Sequence, residues 1–241
     1  MTTIARMRNV LFWGLLPFLA PQALYVRRTA PRFAAAGGTD SGRVGDGSPL
    51  RLLAVGDSII AGVGARRLDN ALVGRTAASL GQTLDVSVQW RAFGGVGYKS
   101  GQIIDEFLPK LPSEPADFII VSVGVNDITG LTSLTRWRDN LSRLIGRLTA
   151  HSPNASIGIS GIPPLGVFPL LPQPLRATAG LRATSFDRAA RAVIASHSNC
   201  VHVPINIDTG PDGFAADGYH PSEDSYRVYG EEMARGLLSL R

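Results

Sequence analysis

Apolar runs that end in glycine recur along this chain. Arg51-Leu52-Leu53-Ala54-Val55 leads into Gly56, and Phe118-Ile119-Ile120-Val121-Ser122-Val123 leads into Gly124. Short continuous apolar runs of this kind predict strands covered on both faces, as in a parallel sheet. Similar runs occupy residues 86–92, 156–160 and 201–205, with helix-like segments between them. The alternation predicts an α/β fold. Trp137, Leu141, Leu144, Ile145 and Leu148 recur at helical spacing and predict a helix packed on one sheet face. A further helix is expected after Ser222.

The N-terminal region follows another pattern. Residues 9–26 carry no charge, and Val10-Leu11-Phe12-Trp13-Gly14-Leu15-Leu16 with Phe18 and Leu19 is strongly apolar. As a helix this stretch would run about 27 Å, close to the hydrocarbon thickness of a bilayer. Three readings fit: a membrane anchor or interfacial segment, a cleaved signal, or an apolar arm packed on the domain. Pro17 and Pro21 would kink a spanning helix, and Ala20 and Ala23 have Phe18 and Pro21 two places before them, a poor cleavage pattern. The expectation is a membrane-associated or exported protein. Arginines on both sides leave the orientation open. Residues 1–28 are thus read as an apolar N-terminal segment, 29–50, rich in Ala, Gly, Ser and Arg, as a linker, and 51–241 as one domain.

Composition fits that domain, with 44% hydrophobic residues among 241. The net charge of +5 resides mostly in residues 1–50, where six arginines face Asp40 and Asp46. The remainder is near neutral, which excludes the clustered basic face that nucleic-acid binding needs. A single cysteine, Cys200, excludes an internal disulfide and reads as a small apolar residue before a strand.

Three short motifs carry the chemistry: Gly56-Asp57-Ser58, Gly124-Val125-Asn126-Asp127 and Asp217-Gly218-Tyr219-His220-Pro221. A serine hydroxyl is a weak nucleophile unless a base takes its proton, and His220 can be that base for Ser58. Asp217, three residues earlier, can hold the other imidazole nitrogen. The Asn126 amide, with backbone N–H groups at Ser58 and at a glycine turn, can receive the charge that attack places on a carbonyl oxygen. Each motif also has a purely structural reading: Asp57-Ser58 as a helix cap, Asn126-Asp127 as an Asx turn or cap, and Asp217 with His220 as a loop ion pair. Function is favoured for Asn126, and structure for Asp57 and Asp127. His202 reads as a satisfied core or sheet-face histidine. No Gly-x-Ser-x-Gly elbow, P-loop or paired metal-ligand spacing occurs, so neither metal nor cofactor is expected.

Taken together, these blocks resemble the SGNH hydrolases, the GDSL-type esterases and lipases, over roughly residues 51–241. Gly56-Asp57-Ser58-Ile59 is similar to the nucleophile block, with isoleucine in place of leucine. Ala92-Phe93-Gly94-Gly95-Val96-Gly97-Tyr98-Lys99 is similar to the second block, which implies Gly97 as an oxyanion donor, with Gly94 and Gly95 as alternatives. The resemblance gives Asn126 the side-chain donor role and makes Asp217 and His220 the partners of Ser58. The expected fold class is a three-layer α/β/α sandwich around a mainly parallel, flavodoxin-like sheet of about five strands.

The resemblance implies a serine esterase working through an acyl-serine. An acyltransferase using the same intermediate, or a non-catalytic lipid- or glycan-binding module, are the alternatives. The segment 162–175 contains five prolines among apolar residues and is expected to build an acyl-chain groove or to cover the core. With the apolar N-terminus it points to a small-molecule ester or lipid substrate: a lipid-like ester, a lysophospholipid or an acyl thioester. Expected partners are that substrate and a membrane contacted through residues 9–26, with neither nucleic acid nor a protein partner.

Overall fold

The computed structural model describes residues 3–31, 33–206 and 210–241. Helix α1 (Thr3–Thr29) is followed by strands β1 (Ser41–Val44) and β2 (Pro49–Gly56), then α2 (Leu72–Leu84), β3 (Ser87–Gly94) and α3 (Ser100–Glu106). Next come β4 (Phe118–Ser122), α4 (Val125–Thr129), α5 (Leu134–His151) and β5 (Ser156–Ser160). The chain then forms α6 (Leu175–Ile194), β6 (Cys200–Val203) and α7 (Glu223–Leu238). The six strands make one sheet in the order β1-β3-β2-β4-β5-β6, parallel except for β1, which runs antiparallel to β3.

Successive side chains of a strand point to opposite faces, and here both faces are covered. Leu52 and Ala54 of β2 pack with Leu72 and Leu80 of α2 and with Tyr226 and Met233 of α7. Leu53 and Val55 face the other way, toward Ile103 of α3, Leu141 and Leu144 of α5 and Phe186 of α6. This double burial is why the strands read as unbroken apolar runs. The three-layer α/β/α fold is as expected.

The five expected strands are present, and a sixth joins them from the expected linker. Residues 41–44 form β1 on the edge of β3, and the Ala92 N–H donates to Asp40 O at 2.7 Å. Ser-Gly-Arg-Val has no apolar alternation; only pairing with β3 makes it a strand. All five apolar positions of the expected 137–148 helix are buried in α5, and Ser133 caps that helix by accepting from Arg136 N. Ser222 caps α7 in the same way.

The expectation of a membrane-associated or exported protein is overturned. Among the described residues no helix is long and apolar enough to cross a membrane. Pro17, Pro21 and Gln22 interrupt the apolar run within α1. Instead α1 lies against α6: Leu19 is buried, Val26 packs on the core, and Gln22 donates to Gln173 O at 2.9 Å while accepting from Leu175 N at 3.2 Å.

Leu144 is fully buried, so Leu144→Ala is expected to lower unfolding stability by about 2–5 kcal/mol, through lost transfer energy and a residual cavity. Ser133→Ala, which removes only a helix cap, should cost about 1 kcal/mol. Urea unfolding of the two variants side by side measures the contrast.

Candidate active site

The chain winds outward from β2, first to β3 on one side and then across to β4 on the other. The carboxyl ends of β2 and β4 therefore flank the point where strand order reverses, where open α/β sheets bind ligands. Ser58 follows β2 and Asn126 follows β4. The two turns are tied directly, since Asp57 N–H donates to Ser122 O at 3.0 Å. The Ser58 turn is closed by Ala61 N–H to Asp57 O and Val63 N–H to Ser58 O.

The third motif arrives from the loop before α7. Asp217 Oδ1 accepts from the backbone N–H groups of Tyr219 and His220, each at 2.9 Å, so the loop folds around its own carboxylate. The other oxygen, Oδ2, lies 2.5 Å from His220 Nδ1, and His220 Nε2 lies 3.0 Å from Ser58 Oγ. Burial works against the Asp217 charge, but bonds from the His220 ring and the two backbone donors outweigh it and hold the carboxyl below its ordinary range. An ionised Asp217 places the imidazole proton on Nδ1 and leaves the Nε2 lone pair to accept from the Ser58 hydroxyl. Gly64 makes the approach of this loop feasible. Its φ is +99°, and a Cβ there would collide with Pro221 O, next to His220.

The turns after β2, β3 and β4 also carry N–H groups that remain available. The N–H groups of Ser58 and Gly97 find no protein acceptor among the described residues. Gly95 N–H is already bonded to Gly56 O at 3.0 Å, and Gly94 is the last residue of β3, packed on Ala61. Gly97, at φ +80°, sits on the exposed turn. One N–H of the Asn126 amide is anchored to Tyr98 O at 3.0 Å, which leaves the second free.

Supporting contacts lie beyond the reach of sequence reading. Asp127 is buried and accepts from both Ser100 N and Ser100 Oγ, at 2.9 and 2.8 Å, while Asn140 Nδ2 donates to the same hydroxyl. Asp127 thus joins the Asn126 turn to the start of α3, the structural role expected of it. Segment 162–175 buries Ile162, Leu165, Phe168 and Leu171 in the core, the covering alternative. Phe168 meets the Tyr219 ring edge-on at 5.3 Å, and Tyr219 meets His220 at 5.1 Å, so the segment also backs the histidine loop.

Asp57 is 3% exposed, and burial, with Asp127 nearby, raises its carboxyl from 3.8 to about 7. Its one bonded oxygen accepts from Ile59 N at 3.1 Å. Burial likewise pushes the Cys200 thiol up to about 12, so it stays protonated and inert, as its reading as a small apolar residue requires. Among the described residues no group of three or more His, Cys, Asp or Glu side chains could hold a metal ion.

With this geometry in place, comparison with known proteins is decisive. The profile of the GDSL-like lipase/acylhydrolase family matches residues 54–228, from inside β2 into α7. The chain belongs to that family. A GDSL-like esterase of Mycobacterium tuberculosis, Rv1075c, is 28% identical over 255 residues, covering 95% of this chain and 78% of that protein. Among solved structures, the lipase Lip_vut3 from a goat rumen metagenome superposes with a TM-score of 0.66 at 19% identity, over 80% of this chain and 100% of that one. A Clostridium thermocellum family 3 carbohydrate esterase gives 0.63 at 17%, over 80% and 97%. These structures share the fold, and family membership makes the protein an ester-bond hydrolase of the SGNH superfamily.

Asp57 gives a pH prediction. Between about pH 4 and 7 the folded state holds a proton on this carboxyl that the unfolded chain has released, so this group's contribution makes stability fall as pH rises through that window. Asp57→Asn removes the titration. Its unfolding midpoint should gain on the wild type progressively from pH 4 to pH 7, as thermal melts across that range would reveal; a constant difference would show that Asp57 is ionised in the folded protein.

Proposed function

We propose that the protein is a serine esterase working through an acyl-Ser58 intermediate. The observation that carries this reading is His220, which reaches Asp217 with one ring nitrogen and Ser58 with the other. His220 Nε2 takes the Ser58 proton as Oγ attacks the ester carbonyl. The resulting oxyanion rests on Ser58 N–H, Gly97 N–H and the free N–H of Asn126. Collapse breaks the ester C–O bond, and the alcohol leaves with the proton from His220. Water then gives a proton to His220 and attacks the acyl carbon, releasing the acid and restoring the Ser58 hydroxyl.

For the substrate we favour an ester with a short acyl group. The two features that suggested a lipid-like ester, residues 9–26 and 162–175, both supply side chains to packing. A long acyl chain gains its affinity from burying apolar surface in a groove, and four apolar side chains that could have lined one, Ile162, Leu165, Phe168 and Leu171, are buried in the core, while Leu15, Phe18, Leu24, Tyr25 and Val167 stay exposed.

Ser58→Ala and His220→Ala are each expected to abolish nearly all hydrolysis of p-nitrophenyl acetate and labelling by a serine-reactive phosphonate. Asn126→Ala should reduce kcat on the order of 10²–10³-fold, as loss of an oxyanion donor does. Full activity in Ser58→Ala would end the mechanism. Across p-nitrophenyl esters of two to twelve carbons, kcat/KM should fall with chain length; an optimum at eight or more would restore the lipid-like substrate.

A further inference from the structure

Asp187, on α6, bonds to none of the residues placed around Ser58, and no feature of its local sequence marks it. Three donors nevertheless converge on its carboxylate. Oδ1 accepts from Ile162 N at 2.9 Å and from His202 Nε2 at 2.7 Å, and Oδ2 accepts from Arg191 Nε at 2.8 Å. Burial opposes the charge, but these donors outweigh it and lower the carboxyl to about 2, so Asp187 is a fixed anion at any working pH. The other imidazole nitrogen of His202, Nδ1, is buried without a partner among the described residues, so the ring's one hydrogen bond there is to Asp187. Gly161 leaves space for that ring, because a Cβ there would lie 2.9 Å from His202 Cε1.

The backbone donor matters most. Ile162 stands just beyond β5, where the chain leaves the sheet for the segment that backs the histidine loop. Its side chain presses against Gly124, where a Cβ would collide with Ile162 Cδ1. Gly124 has a φ of +130° and starts the turn into α4 that presents Asn126. Trp137 closes on the same glycine, 3.0 Å from where a Cβ would be, and its indole Nε1 donates to Phe186 O at 3.2 Å. Two consecutive residues of α6 thus hold the two walls of the Gly124 turn, Phe186 through Trp137 and Asp187 through Ile162. An oxyanion donor must be placed to within a fraction of an ångström, since even a misplacement of about 1 Å can cost on the order of 10²-fold in rate.

We propose that Asp187 is a positioning residue for the ester-hydrolysing site: by pinning the Ile162 N–H it fixes the Ile162 side chain on Gly124 and thereby the Asn126 amide at the oxyanion. The inference rests on the acyl-serine reading and extends it to a group outside the site. His202 and Arg191 hold the carboxylate in the orientation that the Ile162 bond requires.

The test is a double-mutant cycle between Asp187 and Asn126 in the full-length protein. kcat and KM for p-nitrophenyl acetate are normalised to sites titrated by a serine-reactive phosphonate, which removes unfolded protein from the count. Asp187→Ala is expected to lower kcat per titrated site about tenfold with KM within about twofold, because the lost interaction is made in the transition state. Asp187→Asn should lose less, since an amide oxygen can still accept from Ile162 N. With Asn126 already replaced by Ala, adding Asp187→Ala should cost less than about twofold more, because the two act through one donor. If Asp187→Ala does not fold, Ile162→Val, which deletes the Cδ1 contact with Gly124, enters the same cycle. An unchanged kcat per titrated site, or losses that multiply fully in the double variant, would overturn the inference. A wild-type protein that fails to label would instead bring down the acyl-serine reading, and this inference with it.

Discussion

The site depends on how closely β2 and β4 approach each other at their carboxyl ends. Gly56 pairs with Ser122 in the parallel ladder, and a Cβ on Gly56 would collide with Ser122 O and Ile60. The next peptide is bonded across the same gap, from Asp57 N–H to Ser122 O. That short link sets Ser58 beside the turn carrying Asn126, although 68 positions separate them in sequence. A side chain at residue 56 would push the strands apart between the turns that carry Ser58 and Asn126.

Around this fixed point the remaining parts are docked rather than bonded to the sheet. The loop carrying Asp217 and His220 wraps its own carboxylate, rests on Gly64 through Pro221, and is backed by Phe168 through Tyr219. The Asn126 turn is held at one end by Asp127 on Ser100 and at the other by Ile162 and Trp137 on Gly124. Each contact joins elements far apart in the chain. The apolar, proline-rich stretch 162–175 is accordingly core filler and brace in one, and α1 secures its far end through Gln22.

Three buried or half-buried aspartates show how surroundings decide charge. Asp217 collects an imidazole and two backbone donors, Asp187 an imidazole, a guanidinium and one backbone donor, and both stay ionised against the cost of burial. Asp57 has one backbone donor and another carboxylate nearby, so burial prevails and its carboxyl rises to about 7. Asp57 is adjacent to Ser58 in sequence, yet Asp217, 159 positions from Ser58, is the one bonded to His220. Chain proximity says nothing about which acid serves the imidazole; donor count and burial do.

The strands and the candidate reacting groups were readable from the residue order. A strand buried on both faces must be written as an apolar run, so Leu52 to Val55 were legible, and Ser58, Asn126, Asp217 and His220 could be named as candidates from their residue types alone. Tertiary structure alone decided the rest. The strand at 41–44 exists because β3 offers an unpaired edge, and no pattern in Ser-Gly-Arg-Val announces it. Helix α1 lies against α6 with Leu19 buried while Phe18 and Tyr25 stay exposed, because hydrophobicity does not say what will cover an apolar surface. Gly97, unlike Gly95, has an N–H without an acceptor among the described residues, a property of hydrogen bonding in space. The partnership of Asp187, Ile162 and His202 was invisible for the same reason: its members are spread over α6, the end of β5 and β6, and only the packed sheet and helices bring them to one point.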